Sequence, residues 1–490
     1  MSVYRNILKH SSLYALVIIA SRLSSVLLLP VYTRHLSPGD YGLLELLELT
    51  SFAFTSLIGA QLSRALLYYY FQAGDDPSRD TVVTTAWAGA TLLGVAGAGI
   101  AWASAERLSA LVFQTTEYAS YFRLSLSALM FTLPQETAFS YLRAANRSQA
   151  FVVGQLGRLA LNIALSIYFL TVAHLGAVSI LWSNLVSSLA TVIALSLYCL
   201  RPMRFSFNIG TFWQLARYGA PLGVGGLGTL FIHFGDRFFL NRNSSLDDVG
   251  VYSLAYKFGM MVSYLQIPFN TYWTAQMFDV AKRPGGDQVY ARVGTYYMVA
   301  VIGISVVLSV TALPVIQVLT TPAFYRAAEL VPLLVAAYIV RSLGDYFRNA
   351  MLIENKSAGS ARITVAGALI ALAAYWFLIP RFRLWGAASA TALTYVAMAW
   401  LSYIGAQRIR AYPFETGRLW RLGLCGGTAI ALPLIGNPQS LAASVVWALA
   451  SSTTFILLLW GCRFFDADEI RSMRRLAIEA RERLTAAFSN

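Results

Sequence analysis

The side chains of this sequence best placed to do chemistry are charges set inside long apolar runs. Eight basic residues lie there: Arg22, Arg64, Arg123, Arg158, Arg237, Lys257, Arg341 and Arg348. Five acidic residues join them: Glu45, Glu48, Glu136, Asp236 and Asp345. A charge in hydrocarbon costs roughly 3 kcal/mol or more, so such groups face a cavity or one another. Guanidinium forks hold phosphate oxygens in pairs and stay charged when partly dehydrated. A cavity lined by Arg22, Arg123, Arg158, Arg237, Lys257 and Arg341 would therefore suit an anionic substrate such as a diphosphate headgroup. The competing reading is structural pairing, for instance Arg22 with Glu45 or Glu48, or Arg341 with Asp345 one turn on. Among the acids, Glu45, Glu48, Asp236 and Asp345 are candidates for those ion pairs or for carrying a coupling proton or sodium ion. Arg64, Arg348 and Glu136 fall near helix ends, where long side chains reach water.

Other motifs carry less. Gly223-Val224-Gly225-Gly226-Leu227-Gly228 fits a nucleotide-binding GxGxxG, with Asp247 about 20 residues on. No strand precedes it, however, and small residues in an apolar span serve close helix packing. His10, His35, His174 and His233 show no ligand spacing, and Cys199, Cys425 and Cys462 form no CxxC. No metal and no cofactor is expected, and the cysteines read as small buried apolar residues. The glycosylation sequons at Asn146 and Asn355 fall in loops assigned below to the cytoplasm.

The elements that must position these charges are set by composition. Of 490 residues, 57% are apolar and 12% charged, and mean hydropathy is +0.58. Soluble domains carry roughly 25% charge, so the chain reads as an all-α polytopic membrane protein. Spanning helices need about 20 apolar residues, and about fourteen such runs occur, the first near 11–33. Lys and Arg concentrate in alternate loops, which places both termini in the cytoplasm. The net charge of +14 is explained by those loops, not by nucleic acid. No loop is long enough to hold a catalytic domain, so function must live inside the bundle.

The chain also repeats itself. Arg34, Asp40 and Gly42 recur as Arg242, Asp248 and Gly250; Asn146-Arg147-Ser148 recurs as Asn355-Lys356-Ser357. Gly176, Ala177 and Ser179 recur as Gly386, Ala387 and Ser389. The offset encloses six spans, so the two copies share one orientation, as in parallel-repeat transporters. The expected organisation is an N-lobe over 1–200, a linker over 201–212 and a C-lobe over 213–406. Two extra spans follow over 407–462, and then a cytoplasmic amphipathic tail over 463–490. The tail's arginines suit anionic lipid headgroups.

Several stretches carry a family resemblance: Leu36-Ser37-Pro38-Gly39-Asp40-Tyr41-Gly42, Asp236-Arg237-Phe238-Phe239-Leu240 and the run from Val249 to Lys257. The Asn355-Lys356-Ser357 turn and the run from Trp385 to Thr391 complete it. Together they resemble the polysaccharide transporters and O-antigen flippases of the multidrug/oligosaccharidyl-lipid/polysaccharide exporter superfamily. The resemblance implies fourteen helices in two six-helix lobes around a cationic cavity, plus two C-terminal helices. It further implies flipping of an undecaprenyl-diphosphate-linked glycan, with membrane lipids and polysaccharide polymerase and chain-length machinery as partners. Alternatives are a lipid-linked peptidoglycan precursor flippase, a cation-coupled drug exporter and, from another class, a membrane glycosyltransferase or polymerase. The last needs a carboxylate base or acidic metal pair beside a sizeable loop, and none is found.

Overall fold

The computed structural model describes residues 17, 20, 21, 24 and 25 and residues 27–471, apart from 60, 355, 437–439, 463, 466–468 and 470. Arg22 and nearly all of the expected amphipathic tail lie outside the described residues. Every regular element that is described is helical.

The first half of the chain gives α1 (Leu29–His35), α2 (Pro38–Ile58), α3 (Leu62–Gln72), α4 (Asp76–Phe113), α5 (Ala119–Ser127), α6 (Leu129–Ala144), α7 (Ser148–Thr171) and α8 (Val178–Leu200). The second gives α9 (Ile209–Asn243), α10 (Leu246–Leu265), α11 (Ile267–Lys282), α12 (Gly286–Leu319), α13 (Ala327–Ile353), α14 (Ser357–Ile409), α15 (Thr416–Gly436) and α16 (Leu441–Gly461). Among the described residues, eight helical stretches are long and apolar enough to cross a membrane. Other runs are interrupted or diluted by charge: α5 gives way to α6 at Ala128, and α9 carries Asp236, Arg237 and Arg242. Conversely, α14 runs for 53 residues through a non-helical Arg383, so two runs of the sequence are joined.

The repeated motif acquires a structural meaning. Arg34 and Arg242 stand in the last turns of α1 and α9, where a cation offsets the negative end of the helix dipole. Asp40 closes a capping box with Ser37: the Asp40 N–H donates to Ser37 Oγ at 3.1 Å, and the Ser37 N–H donates to Asp40 Oδ2 at 3.0 Å. In the second copy the Asp248 N–H donates to Ser245 Oγ at 3.2 Å. Ser37 and Ser245 are again 208 residues apart. Each such cap is worth about 1 kcal/mol. The Asn146 turn is a helix C-cap: Asn146 is left-handed (φ +56°), and the Arg147 N–H donates to Leu142 O at 2.8 Å. Its counterpart, Lys356 N–H to Met351 O at 2.9 Å, repeats the bond 209 residues later.

The glycines of the motif meet each other. A Cβ on Gly42 would strike the Leu246 carbonyl oxygen, and one on Gly250 would strike the Pro38 carbonyl oxygen. Pro38 and Leu246 are themselves repeat equivalents, so the contact is reciprocal, as across a two-fold axis. The N-terminal turns of α2 and α10 thus pack backbone to backbone, an approach open only to glycine. Neighbouring ties fall at the same helix ends. Thr33 Oγ1 donates to Leu319 O at 3.2 Å, Thr321 Oγ1 to Thr33 O at 3.3 Å, and Asn241 Nδ2 to Val112 O at 2.7 Å. Within the GxGxxG stretch Gly223 and Gly226 lie against Ser56, whose Oγ donates to Gly223 O at 3.1 Å.

The chain divides into two compact units. One comprises Met1–Leu254, Leu319–Ala327 and Thr364–Thr391; the other comprises Ala255–Val318, Ala328–Ile363 and Ala392–Asn490. In the first, the stretch before α9 is clasped to α4. Thr84 Oγ1 donates to Ser206 O at 2.7 Å, and the Asn208 N–H donates to Thr85 Oγ1 at 3.1 Å. In the second, Arg418 holds the chain leaving α16 through Phe464 O (2.8 Å) and Glu469 (2.9 Å). Cys199 and Cys425 are buried as expected, but Cys462 is exposed, because it lies one residue past the end of α16.

The glycine contact makes a prediction. Gly42→Ala or Gly250→Ala should cost about 1–3 kcal/mol through forced separation of α2 and α10. Gly225→Ala, where nothing lies within 4 Å, should cost nothing. Thermal unfolding in detergent would check this, and equal melting of all three variants would contradict the backbone contact.

Candidate functional site

Three clusters of charge emerge from the helices. The most enclosed is built from α2, α9, α10 and α14, all within the first unit. Asp236 and Arg237 are 0% and 1% exposed. Arg237 Nη1 donates to Asp236 Oδ1 at 3.0 Å, its Nε donates to Ser253 Oγ at 3.2 Å, and the same Nε lies 3.7 Å from Glu45. The guanidinium also sits over the Phe234 and Tyr252 rings at 5.0 and 5.4 Å. Asp236 Oδ2 accepts from Tyr252 at 2.5 Å and from Thr391 at 3.1 Å. A buried ion is tolerable only when its remaining lone pairs and protons are satisfied, and the hydroxyls of Tyr252, Ser253 and Thr391 do that here. Arg237 therefore stands enclosed in this conformation, with Glu45 as a second carboxylate beside it.

The second cluster lies in the second unit, on α13 and the part of α14 after Thr391. Arg341 is sandwiched between Tyr338 (5.4 Å) and Tyr395 (5.7 Å). Its Nε lies 3.7 Å from Asp345, which also contacts Arg348. The expected one-turn pair with Asp345 is thus present, yet the Arg341 side chain remains 28% exposed. Two guanidiniums share one carboxylate, so this local group of three carries a positive excess. Nearby polar atoms are held firmly: Gln266 donates to Ser342 at 2.7 Å and accepts from Tyr297 at 2.6 Å.

The third cluster was not assembled from sequence. Glu136 on α6 is exposed and lies within electrostatic reach of Arg64 on α3, Arg143 on α6 and Arg158 on α7. Arg158 donates to Ser188 at 3.3 Å, and Arg143 to Ser140 at 2.8 Å. Three guanidiniums around one carboxylate again leave a positive excess. Glu136 falls eight residues before the end of α6, or about 12 Å, whereas Arg64 stands in the first turn of α3. Sequence reasoning set both aside as residues reaching for water. The missed signal was that Glu136 and Arg143, seven residues apart, share one helix face.

The remaining candidates are scattered. Arg123 pairs with Glu106 at 3.1 Å, both substantially exposed, and such a surface pair is worth at most about 1 kcal/mol. Lys257 is half-buried on α10, and Glu48 is exposed on α2. A groove of about 660 Å³ at the end of α8, lined by Ala194, Leu197, Tyr198, Arg201 and Pro202, includes none of the three clusters. Among the described residues no group of His, Cys, Asp or Glu is arranged to hold a metal ion.

A family model described as polysaccharide biosynthesis protein matches residues 7–273. The structure of the lipid II flippase MurJ in an inward closed conformation superposes with a TM-score of 0.74 at 10% identity, covering 92% of this chain and 100% of that one. An inward-facing multidrug resistance transporter of the MATE family gives 0.65 at 15% identity, covering 80% and 98%. A transporter of the same MOP superfamily from Pyrococcus furiosus gives 0.54 at 16% identity, covering 82% and 93%. No curated protein matches by sequence. The fold is therefore that of these membrane transporters, and the chain is a multi-pass membrane protein.

The enclosed cluster predicts an asymmetry between arginines. Arg237→Ala leaves Asp236 and Glu45 without their guanidinium and should destabilise by about 3–5 kcal/mol. Arg123→Ala should change stability by less than about 1 kcal/mol. Comparison of melting temperatures in detergent tests the pair; indistinguishable melting would show that Arg237 is not a structural ion.

Proposed function

Because the chain belongs to the polysaccharide biosynthesis protein family, whose model covers more than half of it, we propose that it is a flippase for a polyprenyl-diphosphate-linked oligosaccharide. It would carry an O-antigen or exopolysaccharide repeat unit across the bacterial inner membrane, with both termini in the cytoplasm. The observation that carries this reading is the excess of guanidinium over carboxylate on these helices, within electrostatic reach of Glu136 in one unit and at Asp345 in the other. A diphosphate brings two phosphates with non-bridging oxygens, and Arg64, Arg143, Arg158 and Arg341 offer the planar forks that match them. A cation-coupled drug exporter would need the opposite field.

The repeat supports alternating access. A lobe arrangement over 1–200 and 213–406 would open at one end while the other end is held shut. In this reading the reciprocal contact of Gly42 and Gly250, the Thr33 ties and the Arg237–Glu45 pair would hold shut the end that the charge asymmetry of the loops assigns to the periplasm. The glycan and diphosphate would then enter from the cytoplasm, with the polyprenyl tail left in lipid. A polymerase and chain-length machinery would receive the product.

The superposition on MurJ favours a second reading, a lipid-linked peptidoglycan precursor as cargo. The two cargoes share polyprenyl diphosphate and differ in sugar, so the same arginines serve either. Accumulation of cytoplasm-facing lipid-linked glycan in a deletion strain would distinguish them by the identity of the sugars.

Arg158→Ala and Arg341→Ala should each lower translocation at least tenfold at unchanged protein level, measured as exposure of lipid-linked glycan to an external lectin in reconstituted vesicles. Full transport by both variants would remove the role assigned to the positive interior.

A further inference from the structure

Near the end of α3, Tyr68 is stacked on Tyr218 of α9, with ring centroids 4.7 Å apart and planes within 12°. Tyr69 closes one side edge-on to Tyr218 at 6.0 Å and 76°. Two aromatic rings that merely fill a core would be covered, yet Tyr68 is 45% and Tyr218 39% exposed. Tyrosines in a membrane protein often sit among lipid headgroups as an interfacial belt. The residues around this pair argue for a different environment. Arg64 precedes Tyr68 by four residues and so shares its helix face. Arg64 is exposed and within electrostatic reach of Glu136, so this face of α3 turns toward a charged region of the unit, not toward acyl chains. On α9 the residue before Tyr218 is Arg217, also exposed.

From this juxtaposition we propose that Tyr68 and Tyr218 seat the sugar joined directly to the diphosphate, while Arg64 holds the diphosphate itself. The inference rests on the flippase reading above and adds a place for the first sugar. The C–H face of a pyranose is apolar and weakly positive, and it meets the negative face of an aromatic ring, while its hydroxyl edge stays in water. Mutual stacking fixes the rotamers of both rings, so the exposed outer face is presented without further ordering cost. The spacing also fits. Four helical residues rise about 6 Å, comparable with the reach from a sugar ring to the diphosphate it carries. A glycosyl diphosphate laid along α3 would have its ring on Tyr68 and its phosphates one turn deeper at Arg64. Sugars farther along the chain would extend past Gln72, out of contact with the pair.

The test uses the full-length protein in nanodiscs and two probes, polyprenyl diphosphate bearing one hexosamine and the same lipid without sugar. Tyr68→Ala and Tyr218→Ala should each weaken binding of the sugar-bearing lipid about tenfold and leave the bare lipid unchanged. Tyr68→Phe and Tyr218→Phe should bind both lipids as wild type does, because the ring face and not the hydroxyl carries the contact. Arg64→Gln should weaken both lipids alike. Unchanged binding of the sugar-bearing lipid by both alanine variants, or equal loss of both lipids, overturns the sugar seat. Failure of the wild type to bind either lipid overturns the flippase reading and the seat with it, whereas retention of both lipids by every tyrosine variant overturns the seat alone.

Discussion

A guanidinium in hydrocarbon must be answered, and the manner of the answer decides what each arginine of this bundle can do. Arg237 is answered completely, by Asp236, Glu45, the hydroxyl of Ser253 and two aromatic faces, and is sealed from solvent. Arg341 is answered on its flat faces by Tyr338 and Tyr395 but shares Asp345 with Arg348. Arg64, Arg143 and Arg158 stand within electrostatic reach of one carboxylate, Glu136. Complete neutralisation makes a structural element. A guanidinium that shares its carboxylate keeps part of its attraction for an anion.

That distinction explains what could be read from sequence and what could not. The apolar runs, the family resemblance and the 208-residue repeat are local or periodic properties, and they survive into the structure as helices, caps and the reciprocal glycine contact. Even the Arg–Asp–Gly signature was visible, although its meaning was not: the arginine and aspartate serve helix ends, and the glycine serves close approach. Which charges share a site is a property of tertiary packing. Arg237 looked like a cavity residue because its partner Glu45 lies 192 residues away, and Glu136 looked like a snorkelling residue because two of its three arginines come from other helices. The Tyr68–Tyr218 stack spans 150 residues and left no periodic trace.

The repeat also constrains how the structure could change. A contact made by equivalent residues of two copies is self-complementary, so it has one geometry of closest approach and no gradual alternatives. At Gly42 and Gly250 the approach is between main chains, with no side chain to yield as the helices part. The hydrogen bonds around it, Thr33 with Leu319 and Thr321 and Asn241 with Val112, are short-range and vanish together once the helices separate. Such a contact is either made or broken, with no graded intermediate.

The Arg237 cluster would add to the energy needed to part these helices. Its members come from α2, α9, α10 and α14, so separating α2 from the other three would part Glu45 from Arg237 and expose part of a dry ionic group. Water entering the gap would solvate the parted charges, which lowers the cost of opening below that of breaking the pair in hydrocarbon. Separation of these helices would therefore be coupled to hydration of the gap between them.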